Sequence, residues 1–217
     1  MEAACKEEFT NTDFSMGLFN EDSCLAFLGA MPINYLCFLK PAPVFREEGE
    51  SCWFSEPLIS GGFAYIFGGG HIARELVPLL AHLDFRCIVF DDREEFSRPE
   101  LFPGADKVIL GDFNNIGKSI TLSNRDFAVI ITRGHLWDLE AWAFALNSPA
   151  SYIGVIGSKS KHEFVRGQLR ERGFAESTIN ASRVHAPIGI KIKSDTPAEI
   201  AVSIAGELVL CRAQMRY

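Results

Sequence analysis

Gly68-Gly69-Gly70-His71 follows an apolar run, Phe63 to Phe67, and precedes a helical pattern of apolar residues at Ile72, Leu76, Leu79, Leu80 and Leu83. Gly68, Gly70 and Ala73 fit the spacing G-x-G-x-x-G/A. In that spacing the first glycine permits a tight turn and the second lets backbone approach a ligand, while the third small residue lets helix pack on strand. A helix starting near His71 aims unpaired N–H groups and the positive end of its dipole at the turn. The chemistry predicted there is the capture of a phosphate or pyrophosphate.

Other groups could act on the same guest. Asp91-Asp92-Arg93 stands about twenty residues beyond the glycines, where an acid accepts hydrogen bonds from a ribose diol. In the plainer reading one of the two aspartates caps a turn, and Arg93 could take an extra phosphate. Thr132-Arg133-Gly134-His135 ends a further apolar run, and Asp138 is close enough in sequence to orient the His135 ring. Equally, Asp138 can be a helix-start acid stabilised by the dipole. Gly157-Ser158-Lys159-Ser160-Lys161 is a second anion cradle, without the spacing of an ATP-hydrolysing phosphate loop. His71, His135 and His185 fall at predicted strand ends and could converge on a metal or substrate. Turn and hydrogen-bonding roles are commoner for single histidines, so no metal site is assigned, and no residue is given a catalytic role. Glu199 and Glu207 read as cap and surface, and Cys87 and Cys211 as small core residues.

The elements that must position these groups alternate. Strands are predicted at 63–67, 86–90, 107–110, 127–131 and 152–156, with a short sixth within 183–189 and helices between them. Thr196, Pro197 and Glu199 form a capping box for a last helix. The alternation predicts parallel pairing and right-handed crossovers. The expected fold class is α/β, a Rossmann-like doubly wound, mostly parallel sheet over residues 61–217, with a small N-terminal appendage over 1–60. In the order 3-2-1-4-5-6 the reversal lies between the first and fourth strands. That places Gly68 to His71 opposite Thr132 to His135.

The formal charge is −7. Residues 1–60 hold ten of the 28 acids and three of the 21 bases, and the remainder balances at 18 each. A neutral main domain excludes nucleic acid as the expected partner. The six cysteines form no C-x-x-C pair, and thiols kept reduced in a cytoplasm are expected. The acidic start does not resemble a signal peptide, and the apolar window 24–39 is short and broken by Pro32 and Asn34, so no membrane span is expected. Glu47, Glu48 and Glu50 read as a solvated loop. Trp53, Phe54 and Leu58 read as an anchor. The apolar stretch Leu25–Leu39 could complete a sheet, its own or that of a second copy in a homodimer.

The motifs Gly68-Gly69-Gly70-His71, Asp91-Asp92-Arg93, Thr132-Arg133-Gly134-His135, Tyr152 to Ser158, and His185-Ala186-Pro187-Ile188-Gly189 with Thr196 to Ile204 stand in this order. Together they closely resemble the xanthine dehydrogenase accessory factor (XdhC/CoxI) family over roughly residues 60 to 212. The resemblance implies the C-terminal Rossmann domain of a chaperone for molybdenum hydroxylases. Such a chaperone binds the molybdenum cofactor as cargo, protects it while a cysteine desulfurase adds the terminal sulfido ligand, and hands it to the apo-dehydrogenase. Gly68, Gly69, Gly70, His71, Asp91, Asp92, Arg93, Thr132, Gly134, His135, Gly157, Ser158, Lys159 and His185 would then contact the cofactor. The first 60 residues depart from fuller members, which carry a separate domain with a Cys-Gly-Gly segment. Here Cys52 is followed by Trp53 and Phe54, so no cofactor role passes to it. Two other readings use the same glycines: an NAD(P)-dependent oxidoreductase and a non-catalytic nucleotide-sensing module.

Overall fold

The computed structural model describes residues 62–216, apart from the side chains of His135 and Arg216, and before them only the backbone of four strands. The chain divides into two compact units, residues 1–60 with 213–217 and residues 61–212. In the first unit, β1 (Leu18–Asn20) pairs antiparallel with β2 (Ser23–Ala26), and β3 (Val44–Glu48) with β4 (Ser51–Ser55). Glu47 and Glu48, expected in a solvated loop, instead end β3 of this hairpin. Beyond Ala26 the apolar stretch to Leu39 lies outside the described residues, as do Glu50, Leu58 and the side chains of Trp53 and Phe54.

The second unit begins with β5 (Phe63–Phe67), α1 (His71–His82), β6 (Arg86–Asp91) and β7 (Ala105–Leu110). It continues through β8 (Phe127–Ile130), α2 (His135–Leu146), β9 (Tyr152–Val155), α3 (Lys159–Glu171), α4 (Glu176–Ile179), β10 (Val184–His185) and α5 (Pro197–Arg216), of which the part up to Arg212 belongs to this unit. The sheet order is β10-β9-β8-β5-β6-β7, all parallel. This is the order expected, with its reversal between β5 and β8. β8 and β9 are buried along their whole length, as strands covered by helices on both faces must be.

Two crossovers depart from the strict alternation. Between β6 and β7 the chain makes only short 3-10 turns at Glu94–Phe96 and Pro99–Leu101, and between β7 and β8 another at Phe113–Lys118. Pro99, Pro103 and Gly104 crowd the first segment and forbid a longer helix. In the second, the Asp112 carboxylate accepts the Asn114 N–H at 2.9 Å and fixes a turn.

The core has two halves, one on each face of the sheet. Ala73, Leu76, Val77 and Leu80 of α1, with Ala201, Ile204 and Leu208 of α5, cover Ile66, Val89, Val129 and Tyr152. Leu139, Trp142 and Leu146 of α2, with Val165 and Leu169 of α3, cover Phe67, Phe90, Ile130 and Ile153. The capping box is formed as expected, because the Glu199 carboxylate accepts the N–H groups of Asp195 and Thr196, each at 2.9 Å. Cys87 and Cys211 are buried. Burial pushes their thiols up to about 12 and about 11, so neither is a thiolate near neutrality.

Candidate functional site

At the reversal the glycine turn and the loop after β8 meet backbone to backbone. Gly68 adopts φ +112°, and a Cβ there would lie 2.5 Å from the Ile131 carbonyl oxygen and 2.9 Å from the Thr132 Cα. Its own N–H donates to the Phe90 carbonyl at 2.8 Å. Only glycine fits this position. Gly70 differs. Its φ is −72°, open to any residue, and a Cβ on it would meet nothing within 4 Å. Gly70 is also the N-cap of α1 and no side chain caps that helix. Neither conformation nor packing calls for glycine there.

Across the crevice α2 begins in the same way. Its N-cap is Gly134, at φ +88°, with no side-chain cap and open space above it. Two uncapped helix starts, at Gly70 and Gly134, thus flank the switch point, each with orphan N–H groups available to an anion. His71 stands exposed at the first of them; the His135 side chain lies outside the described residues.

Asp91 is placed beside this turn but used differently from the expected ribose acceptor. It is 2% exposed, and its carboxylate accepts the Gly69 N–H at 2.7 Å, the Arg93 N–H at 3.0 Å, and the Arg93 guanidinium through Nε at 2.8 Å and Nη2 at 2.9 Å. Burial alone would raise this carboxyl. The Arg93 guanidinium and the two backbone N–H groups outweigh burial and hold it below its ordinary value of 3.8. Four protein donors fill the acceptor positions a ribose diol would need, so the carboxylate at this position braces the glycine turn. The half-buried Asp92 is the remaining acid of the pair. Arg93 in turn lies 3.6 Å over the Phe96 ring, with the Arg74 guanidinium 5.3 Å from the same ring.

The second predicted cradle is altered by its own side chains. The Ser158 hydroxyl accepts the Lys161 N–H at 3.2 Å and shares a hydrogen bond with Ser160 at 2.9 Å, so α3 is already capped. The Lys161 ammonium pairs with Asp138, a fully buried carboxylate in the first turn of α2. Asp138 also accepts the Thr132 hydroxyl at 2.6 Å. Lys159 is exposed at the α3 start, beside a pocket of about 460 Å³ lined by Ser158, Ser160, Lys161 and Phe164.

His185 does not join the glycine turn. Its Nδ1 lies 3.2 Å from Glu207, and its ring centroid lies 4.6 Å from that of Tyr152, tilted by 31°; Tyr152 is the first residue of β9, back from the carboxyl edge of the sheet. Glu207 is no surface residue. Its side chain is 13% exposed and accepts the Tyr152 hydroxyl at 2.5 Å and the Gly189 N–H at 2.7 Å. Burial, then the Glu207 charge, push the Tyr152 phenol far up, so it remains a donor. Glu207→Ala would orphan both groups, and it is expected to lower stability by about 1–3 kcal/mol in urea unfolding. A change within error would sink this anchoring role. The run Val202 to Leu210 carries no sign of this, because a glutamate on an otherwise mixed helix face reads as solvated. Among the described residues no group of three or more His, Cys, Asp and Glu is placed to hold a metal ion, and no helix is long and apolar enough to cross a membrane.

Residues 64–208 match the model of the XdhC Rossmann domain. The chain belongs to the XdhC Rossmann domain family. Within residues 64–208, the XdhC region, lie the glycine turn, the Asp91 brace and the Glu207 cluster. The chain is 32% identical over 145 residues to the uncharacterized protein YqeB of Escherichia coli (strain K12), covering 66% of this chain and 26% of that protein. It is 28% identical over 150 residues to a probable xanthine dehydrogenase subunit of Bacillus subtilis (strain 168), covering 69% of this chain and 43% of that one. A crystal structure of a xanthine dehydrogenase from Bacillus halodurans superposes with a TM-score of 0.64 at 25% identity, over 75% of this chain and 46% of that one. The chain therefore spans less than half the length of each of these relatives.

Proposed function

We propose that this XdhC-family chain is an accessory protein of a xanthine dehydrogenase-type molybdenum hydroxylase, binding molybdenum cofactor and assisting its sulfuration and insertion. Family membership across residues 64–208 carries the reading, and relatives named for xanthine dehydrogenase point the same way. The residues at the switch point suit the cargo. Molybdopterin carries a phosphate, or a pyrophosphate in its dinucleotide form, and the uncapped starts of α1 and α2 offer N–H donors with open space above Gly70 and Gly134. The molybdenum centre is the part of the cargo that the hydroxylase uses and that a cysteine desulfurase would sulfurate. This chain's residues hold the phosphate end and position it.

A nicotinamide cofactor would use the same turn, but Asp91 is committed to Gly69 and Arg93. Equilibrium binding of the purified chain to molybdenum cofactor, NAD(H) and NADP(H), with Gly70→Asp as control, separates the readings. Gly70→Asp is expected to fold, because the position opens to space, and to lose cofactor binding at least tenfold through charge repulsion. Tight nicotinamide binding without affinity for molybdenum cofactor would overturn the accessory role. It would leave a dehydrogenase or a nucleotide sensor.

A further inference from the structure

Lys161 belongs by sequence to a basic loop that invites an anion, yet its ammonium turns inward to Asp138. Asp138 lies in the first turn of α2, with no exposed side-chain surface, and that turn is one of the two uncapped helix starts at the switch point. A carboxylate there opposes the dipole's attraction for an anion unless a positive charge offsets it. Its second oxygen holds the Thr132 hydroxyl, and Thr132 backs directly on Gly68. The pair therefore sits behind the anion site.

We propose that Lys161 serves the site between α1 and α2 as the counter-charge of Asp138 and does not itself touch the bound anion. With the pair intact, Asp138 can fix Thr132 beside the glycine turn while its negative charge is hidden from a phosphate. The inference rests on the anion site proposed above and assigns how that site tolerates a buried acid within one helical turn.

The test is calorimetric titration of the full chain with inorganic pyrophosphate, for the unaltered protein, Lys161→Met and the double variant Asp138→Asn/Lys161→Met. Lys161→Met is expected to bind at least tenfold more weakly, because Asp138 then faces the anion without its neighbour's charge. The double variant is expected to recover to within threefold of the unaltered chain. A double variant weaker than that would mean that Lys161 contacts the anion, and would overturn the proposal. Where Lys161→Met fails to fold, the double variant, which removes both charges of the pair together, carries the comparison under the same limits. Absence of pyrophosphate binding by the unaltered chain would overturn the anion site itself, and the counter-charge role with it.

Discussion

Gly68→Ala is expected to destabilise the chain by about 3 kcal/mol or more, while Gly70→Ala shifts stability by less than about 1 kcal/mol. The adjacent roles differ because of what surrounds each Cα. At Gly68 the new Cβ would stand 2.5 Å from the Ile131 oxygen and 2.8 Å from its carbon, both backbone atoms of the neighbouring strand's end. No rotamer change relieves that contact, and φ +112° is itself strained for any side chain. Separation of β5 from β8 at the switch point is the only relief. At Gly70 the added methyl enters open space at an ordinary φ. It stands instead where a ligand would approach, so its effect appears as pyrophosphate affinity lowered by roughly tenfold, on the order of 1.4 kcal/mol. Urea unfolding and calorimetric titration of both variants check the pair. Equal destabilisation by the two substitutions would remove the division of labour between the glycines.

The same two glycines mark how far the sequence can be read. The strands and their parallel pairing follow from periodicity and from the chirality of parallel crossovers, and the order 3-2-1-4-5-6 taken from the Rossmann-like class then puts the reversal between β5 and β8, where the Gly68 and Thr132 loops meet. Those rules are local or topological, and Phe63–Phe67, Tyr152–Val155 and Thr196-Pro197-Ala198-Glu199 obey them plainly. The crossovers around β7 are harder. Alternation predicts a helix before β7, but Pro99, Pro103 and Gly104 override it. What no local pattern carries is which side chain a polar residue chooses once the chain has closed. Asp91 stands where a ribose acid belongs, yet finds Arg93 two residues away and the Gly69 N–H across a turn. Glu207 meets Tyr152 from 55 residues away, and Asp138 meets Lys161 on another helix. The pairings of Asp91 with Gly69, Glu207 with Tyr152 and Asp138 with Lys161 depend on three-dimensional closure, and charge or spacing alone does not distinguish them from solvated positions.

Asp91→Ala is expected to destabilise the fold by about 3 kcal/mol, because it removes the hydrogen-bonded partner of a buried charge pair and leaves Arg93 only the more distant Asp92 carboxylate, at 3.9 Å. The Arg93 side chain is only 16% exposed, and the Gly69 N–H, buried in the turn, would lose its acceptor as well. Asp91→Asn keeps an acceptor for Gly69 but sets an amide N–H₂ against the guanidinium, so a smaller loss of about 2 kcal/mol is expected. The pH dependence follows from the direction of the carboxyl's shift. Its folded pKa lies below the ordinary 3.8, so the native state binds this proton less readily than the unfolded chain does. The stability that Asp91 contributes is therefore fully present above about pH 4 and is lost as pH falls through the lowered folded value. Asp112, Glu176 and Glu199 are also held low, by Asn115, Arg170 and the Thr196 N–H respectively. Urea midpoints from pH 6 to pH 2.5 should fall more steeply for the unaltered chain than for Asp91→Asn, and the difference between the two curves isolates Asp91 from those exposed acids. Parallel curves would mean that Asp91 is not held as a charged brace. The glycine turn would then owe its shape to Gly68 and the backbone of β8 alone.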